Sequence, residues 1–419
     1  MAFRQLQTLF FLQWTIAIAA ATLTGVKLPN FRIANNNGET IGKYDNGTLG
    51  PALETVHLFK DQFPTGVTVT SDNRRIFVNY PRWFGTDDDP LGGVKFTVAE
   101  IKDGNEVPYP NQEINWPGEG KKFEDKDLTE YFVSVQSVVL DGQDRLWVLD
   151  TGRPYLNYEQ PPSKYGGPKL IGIDIETNQI FKKIIFPRDI VLPTSYPNDI
   201  RLDLSRGPLG TAYITDSSPD TPALITLDLH TNKFLRRLSS HPSTQPVMGF
   251  VPSFNGIPIY QRIPSKPPTN VAFGADGIAL SANKSSIIYT PLSSRNFYSV
   301  PTDLLANPDV SDEEVGKAVK DFGDKGSSSD GFETDDKGVV YLSAGEQNGI
   351  YVFDGETGLV EPFVRDPRIQ WPDTLSVADG WLYFTSNEFF WQPQYWNGED
   401  KRVLPYALFR VPIGGKKLR

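Results

Sequence analysis

The sequence predicts an all-β protein, a six-bladed β-propeller with four-stranded antiparallel blades, and three observations predict it. One hairpin pattern recurs six times along the 419 residues. The stretches between recurrences hold a second, weaker hairpin. Finally, 36 Gly and 34 Pro punctuate the chain too often for long helices.

The recurring unit is a short alternating strand, a polar turn and a strongly apolar second strand. It spans Gly66 to Asn79, Ser137 to Asp150, Asp199 to Asp216, Asp276 to Thr290, Asp330 to Ala344 and Asp373 to Asn387. Each turn carries Asp, Asn, Gly or Ser, which tolerate tight hairpin geometry. Each second strand is rich in β-branched and aromatic residues, as a buried strand requires. The weaker pairs are Leu170 to Ile175 with Ile180 to Phe186, Leu224 to Leu229 with Phe234 to Leu238, and Gly349 to Phe353 with Leu359 to Val364. Two hairpins in succession make one blade, and a blade buries its faces only against its neighbours. The alternative is a β-sandwich, but six matches in one phase disfavour it. Val310 to Lys320 reads as a short helix inserted in the fourth blade. The expected organisation is a signal peptide over 1–21, a lead-in over 22–55 and one propeller domain over 56–415. Tyr406 to Pro412 is a strand available to close the ring.

The signal peptide rests on Arg4, the mostly apolar stretch Leu9 to Ala21, and the small residues Ala19-Ala20-Ala21 that suit cleavage. Secretion follows, with no membrane association once the peptide is removed, and the mature chain is expected to be a monomer. No later stretch reaches the ~20 apolar residues that a membrane helix needs. The net charge of −10 and the lack of any Lys/Arg cluster beyond Lys416, Lys417 and Arg419 argue against nucleic acid as a partner. There is no Cys, so disulfides, thiol nucleophiles and zinc–thiolate sites are excluded. Sequons occur at Asn46 and Asn283.

Propeller geometry brings the starts of the first strands and the ends of the second strands to one mouth of the channel. The turns between them lie at the other mouth, where Asn283 is expected to be exposed. The converging ends are polar: Gln136, Asn198, Asp199, Asp276, Asp330 and Asp373 begin strands, while Asn79, Asp150, Asp216 and Asn387 end them. The loops that follow are aromatic and cationic: Tyr80 to Phe84, Arg153 to Tyr155, Arg295 to Tyr298, and Asn387 to Trp391. An aromatic rim around a polar floor suits a flat, partly polar organic ligand. The expected ligand contacts are Tyr80, Asn198, Asp199, Asn387, Phe389 and Trp391. Turn capping and loop packing are the competing explanation for each residue taken singly.

Only three His occur, His57, His230 and His241, without an evident acid–base partner, and no Gly-x-Ser-x-Gly elbow is present. Oxygen ligands are plentiful, so Asn198, Asp199, Asp330 and Asp373 are candidates for calcium, as in a lactonase-like hydrolase. Without a metal, Asp330 and Asp373 with Arg153 are the candidate catalytic groups. Carboxyl groups can act as general acid and base when burial or mutual repulsion raises a pKa. The leading expectation is a secreted small-molecule-binding propeller acting as an isomerase, tautomerase or cyclase on a conjugated or aromatic metabolite. Such an enzyme needs no redox cofactor. A binding protein without turnover and a calcium-dependent hydrolase remain alternatives.

Several segments resemble the yellow / major royal jelly protein family. They are Asp144 to Gly152 (DRLWVLDTG), Pro168 to Asp174, Asn198-Asp199-Ile200 leading to Ala212 to Ser217, Asp276 to Ser281, and Tyr289 to Arg295 with Tyr298 to Val300. The resemblance runs from about Gly66 to Asn387. It implies a secreted six-bladed propeller with divergent roles: isomerisation of an aminochrome, binding of biogenic amines, or nutritive and structural use. In amine-binding members an Asn-x-Phe near the last blade's mouth contacts the ligand. Asn387-Glu388-Phe389 is similar, with Thr374 as its neighbour across the channel. The disulfides usual in animal members are absent, which marks a distant member and agrees with a microbial one.

Overall fold

The computed structural model describes residues 47–86, 89, 92–115 and 126–418. The expected signal peptide, most of the lead-in and the Asn46 sequon side chain lie outside them.

Among the described residues, six four-stranded antiparallel sheets form the six blades. Their inner strands are Gly66–Val69, Val135–Leu140, Pro197–Asp203, Ala275–Leu280, Phe332–Thr334 and Pro372–Ala378. Each inner strand packs against the inner strands of the blades before and after it, and the last returns to the first, so the ring is closed. The second strands are the apolar runs read from the sequence, such as Leu146–Asp150 and Ile287-rich Ser286–Pro291, and they are almost wholly buried. The weaker pairs also form, as Lys169–Asp174 with Gln179–Ile185, Ala223–Asp228 with Lys233–Arg237, and Gly349–Asp354 with Val360–Arg365.

The core is a set of layers between blades rather than one centre. Leu149, Leu170 and Ile184 of blade 2 share a cluster with Ile200, Ile214 and Ile225 of blade 3. Burying such faces supplies about 25 cal/mol per Å² of apolar area, and no blade can do so alone. Closure is achieved across the chain. Tyr406–Pro412 is the third strand of blade 6, and Glu54–Phe59 pairs with it as the fourth. That outer strand crosses the expected boundary at residue 55.

Two local expectations need correcting. Asn296 to Tyr298, read as a mouth loop, lies in the strand Asn296–Pro301, which pairs with Ser286–Pro291. The loop ends earlier because Ser294 Oγ accepts from the Asn296 amide (2.9 Å) and closes the turn there. The inserted helix is shorter than expected, Asp312–Lys317, and begins on a capping box of Ser311 and Glu314. A further element escaped the sequence reading. Between blades 3 and 4 a small hairpin, Ser253–Phe254 with Ile257–Pro258, reaches across the mouth. There the Ser253 amide donates to Glu346 (2.8 Å) and Asn255 Nδ2 to Gln370 (2.7 Å).

Candidate functional site

The site begins with a backbone irregularity. The inner strands of blades 3, 4 and 6 each slip register at their first residues, around Asn198-Asp199, Asp276-Gly277 and Asp373-Thr374. Such a bulge re-aims side chains. Two glycines then let successive blades close up. A Cβ at Gly277 would stand 2.4 Å from the Asp330 carbonyl oxygen, and one at Gly331 would stand 2.3 Å from that of Asp373. Only glycine permits these approaches. The result is three carboxyl groups, Asp276, Asp330 and Asp373, side by side on blades 4, 5 and 6.

Their electrostatics follow from that crowding. All three are buried, and among the described residues none is ion-paired. Burial, then repulsion from Asp330 and Asp373, pushes the Asp276 carboxyl well above the ordinary carboxylate range, and it shares a hydrogen bond with Asp330. Burial raises Asp330 to about 6, opposed by a hydrogen bond donated by Trp371 Nε1 to Oδ2 (2.7 Å). Burial and Asp330 raise Asp373 as well, opposed by Asn387 Nδ2 donating to its Oδ2 (2.7 Å). Neighbouring carboxyl groups that cannot all ionise hold a proton between them at neutral pH.

Trp371 pays for its position in backbone strain. Its φ is 66°, a left-handed conformation unusual for a bulky residue. The ring lies 5.8 Å from Phe389 in a stacked arrangement and 4.5 Å from Phe390 edge-on.

Above Asp276 and Asp330 lies a pocket with about 600 Å³ of empty space, part of it open to solvent. Its walls are aromatic: Trp83, Tyr155, Tyr196, Phe273, Phe389 and Tyr395. Trp83 Nε1 donates to the Tyr196 hydroxyl (2.7 Å), which donates to Gln136 Oε1 (2.9 Å). Burial pushes the Tyr196 and Tyr395 hydroxyls well above their usual range, so both stay protonated.

The structure divides the residues expected from the sequence. Asn198, Asp330 and Phe389 line the pocket, and Asp373 and Thr374 lie beside Asp330 on the next blade. Asp199 is engaged by both Arg201 Nη1 contacts (3.0 Å) and by Ser137 Oγ (2.9 Å). Asn387 joins blade 6 to blade 1 by donating to the Pro64 carbonyl (2.9 Å), as Asn79 joins blade 1 to blade 2 through the Val135 carbonyl (3.1 Å). Trp391 stacks on Trp396 at 5.0 Å, behind the pocket wall. Arg153 spends its guanidinium on the carbonyls of Pro161, Thr194, Ser195 and Gln160. Tyr80 points away from the mouth and donates to Glu106 (2.7 Å). The same carboxylate meets His57 Nε2 at 3.1 Å, so His57 is not without a partner, as its isolation in sequence had implied. Asp150 and Asp216, at second-strand ends, cap loop amides and pair with Lys169 and Arg236.

Sequence reasoning placed Asp276 among the converging strand starts but named it neither catalytic nor ligand-binding, although Asp276-Gly277 and Asp330-Gly331 repeat one dipeptide at equivalent strand starts. It had no means of finding Tyr196, Phe273, Gln392 or Tyr395. Among the described residues, no three Asp, Glu, His or Cys groups are arranged to hold a metal ion. Asn283 is exposed in the turn at the far mouth, as expected, its Oδ1 accepting from Ser285 Oγ (2.7 Å).

A family profile described as major royal jelly protein matches residues 133–394. Major royal jelly protein 5 of Apis mellifera is 28% identical over 231 residues, covering 54% of this chain and 34% of its own. Major royal jelly protein 1 of the same species is 24% identical over 266 residues, covering 61% and 54%. The aligned parts thus span about a third to a half of these relatives' length. A luciferin-regenerating enzyme is similar in structure, with a TM-score of 0.51 and 12% identity over 88% of this chain and 97% of that one. At that identity the likeness is one of fold.

Proposed function

We propose that this chain, which belongs to the major royal jelly protein family, is an extracellular ligand-binding propeller that isomerises or tautomerises a small conjugated or aromatic metabolite. The observation that carries this reading is the hydrogen-bonded Asp276–Asp330 pair at the floor of an aromatic-walled pocket. An ionised carboxylate of the pair takes a proton from one ligand atom, and its protonated neighbour returns one to another atom. Mass and electron count stay unchanged, and no oxidant is needed. Aromatic walls hold a flat ligand in one plane above the pair, which converts the transfer to an oriented intramolecular step. Asp373 and its Asn387 contact support the pair from the next blade. Arg153, with its donors spent on carbonyls, takes no part.

The test is incubation with a panel of conjugated ketones and quinones, followed by absorbance and mass. A product of unchanged mass and altered spectrum, lost in Asp330→Asn, supports the reading. Ligand recovered unchanged, with binding intact, assigns the protein to binding without turnover.

A further inference from the structure

The pocket wall contains one polar group that the acid–base reading does not use. Gln392 is fully buried, yet it lines the pocket together with Asp276 and Asp330. Its backbone is fixed in the turn between two short 3₁₀ segments, with its amide donating to the Phe389 carbonyl (3.3 Å) and its carbonyl accepting from Tyr395 (3.1 Å). Its side chain is held at one end, where Oε1 accepts from Gln394 Nε2. The other end, Nε2, has no hydrogen-bond partner in the protein.

A buried amide N–H left without an acceptor costs about 1–3 kcal/mol, and native interiors rarely keep one. Every other Gln, Asn and Ser of this wall is engaged through at least one side-chain atom. Gln136 Oε1 accepts from Tyr196, and Asn198 Nδ2 donates to Ser217 Oγ (3.2 Å). The carboxyl floor offers acceptors and a shared proton, but the described groups of the floor include no neutral amide donor. A ligand oxygen meeting Gln392 Nε2 would complete the wall while its carbon skeleton lies between the aromatic rings.

We propose that Gln392 is the specificity-determining donor of this site, and that it selects ligands bearing a carbonyl-type oxygen over otherwise identical hydrocarbons. This rests on the reading that the pocket takes a flat organic ligand. It extends that reading by naming the functional group recognised and the residue that recognises it. A site built to hydrogen-bond one ligand atom rejects the analogue that lacks it, because the site's own polar group is then stranded.

The experiment compares indan-1-one with indane, which share a skeleton and differ by the carbonyl oxygen. Binding of each to the full-length protein is measured by ligand-observed NMR titration. The wild type is expected to prefer indan-1-one by about tenfold. Gln392→Met, similar in size and without donors, is expected to lose that preference while binding indane as the wild type does. Gln392→Leu, likewise without donors, is expected to lose it too and covers the case where the Met variant fails to fold. Equal binding of the two probes by the wild type overturns the proposal. So does failure to bind either, or a preference that survives in the folded variants. A separate reading from the same samples is deuterium exchange at C2 of indan-1-one in D₂O. Exchange that persists while the preference survives in Gln392→Met overturns this proposal and leaves the acid–base reading standing. No exchange in the wild type, with preference lost in the variant, does the reverse.

Discussion

At the mouth formed by the hairpin turns, Asp144 faces Lys417 at 3.7 Å, Asp203 faces Lys284 at 3.6 Å, and Asp303 pairs with Arg206. At the opposite mouth Asp276, Asp330 and Asp373 face one another, and no Lys or Arg among the described residues pairs with them. The first arrangement compensates charge and holds turns in place. The second leaves charge uncompensated, so its carboxyl groups retain protons that ordinary aspartates would have released. Perturbed carboxyl groups in a cleft are functional candidates, whereas paired ones are more often structural.

The largest expected effect breaks the uncompensated mouth directly. Asp330→Asn or Asp276→Asn should lower turnover by about 10²–10⁴-fold, the usual span for one acid–base group, with ligand binding largely kept. Steady-state kinetics beside a binding titration would check it, and equal loss of both would sink the acid–base assignment. Next is Arg153→Leu, which strips four backbone carbonyls of their donor. It should cost about 2–4 kcal/mol in urea unfolding without moving the pH profile of the remaining activity. A shifted profile would return Arg153 to the chemistry.

A smaller effect concerns pH. If ionisation of the pair starts the reaction, kcat/KM should rise through a midpoint near the Asp330 value of about 6. The Trp371 hydrogen bond stabilises the ionised form, so Trp371→Phe should move that midpoint upward. Linkage gives the matching stability prediction. The folded-state pKa of Asp330 lies above its unfolded value, so its favourable contribution is complete below about pH 4 and is lost as pH rises through about 6. Asp330→Asn should therefore melt higher than wild type at pH 8 and no higher at pH 4. The smallest effect belongs to the compensated mouth, where Lys416→Met removes an exposed pair with Asp379 (3.6 Å) and should change stability by no more than ~1 kcal/mol and leave ligand affinity alone. A large loss of affinity there would show that the two mouths are coupled.

Much of the fold was legible because hairpins announce themselves locally. Alternation and turn residues located all six inner hairpins to within two residues at either end. The fifth, Asp330 to Ala344, forms as the shorter strand pair Phe332–Thr334 and Val339–Ala344. Half of the converging polar ends, Asn79, Asp150, Asp199, Asp216 and Asn387, bond to loop amides, cations or the next blade, and nothing local separates them from the rest. Asn79 and Asn387 occupy equivalent positions and both join blades, whereas Asp276 and Asp330 begin strands and line the pocket. Tyr80 and Trp83 lie three residues apart, yet one turns to Glu106 and the other to Tyr196. The aromatic rim was anticipated as a class of residue, but Phe273 and Tyr395 come from long connections whose paths no periodicity encodes.

By itself the sequence determined the six recurring hairpins, the exclusion of thiol chemistry and the mouth at which polar strand starts converge. These depend on period-two patterning, turn chemistry and composition, which act over a few residues. Only the tertiary structure decided which carboxyl groups keep their protons, which donors are already spent, and that Gln392 holds one to spare. Those properties are set by neighbours on other blades, and the close approach at Gly277 and Gly331 exists only once the ring has closed.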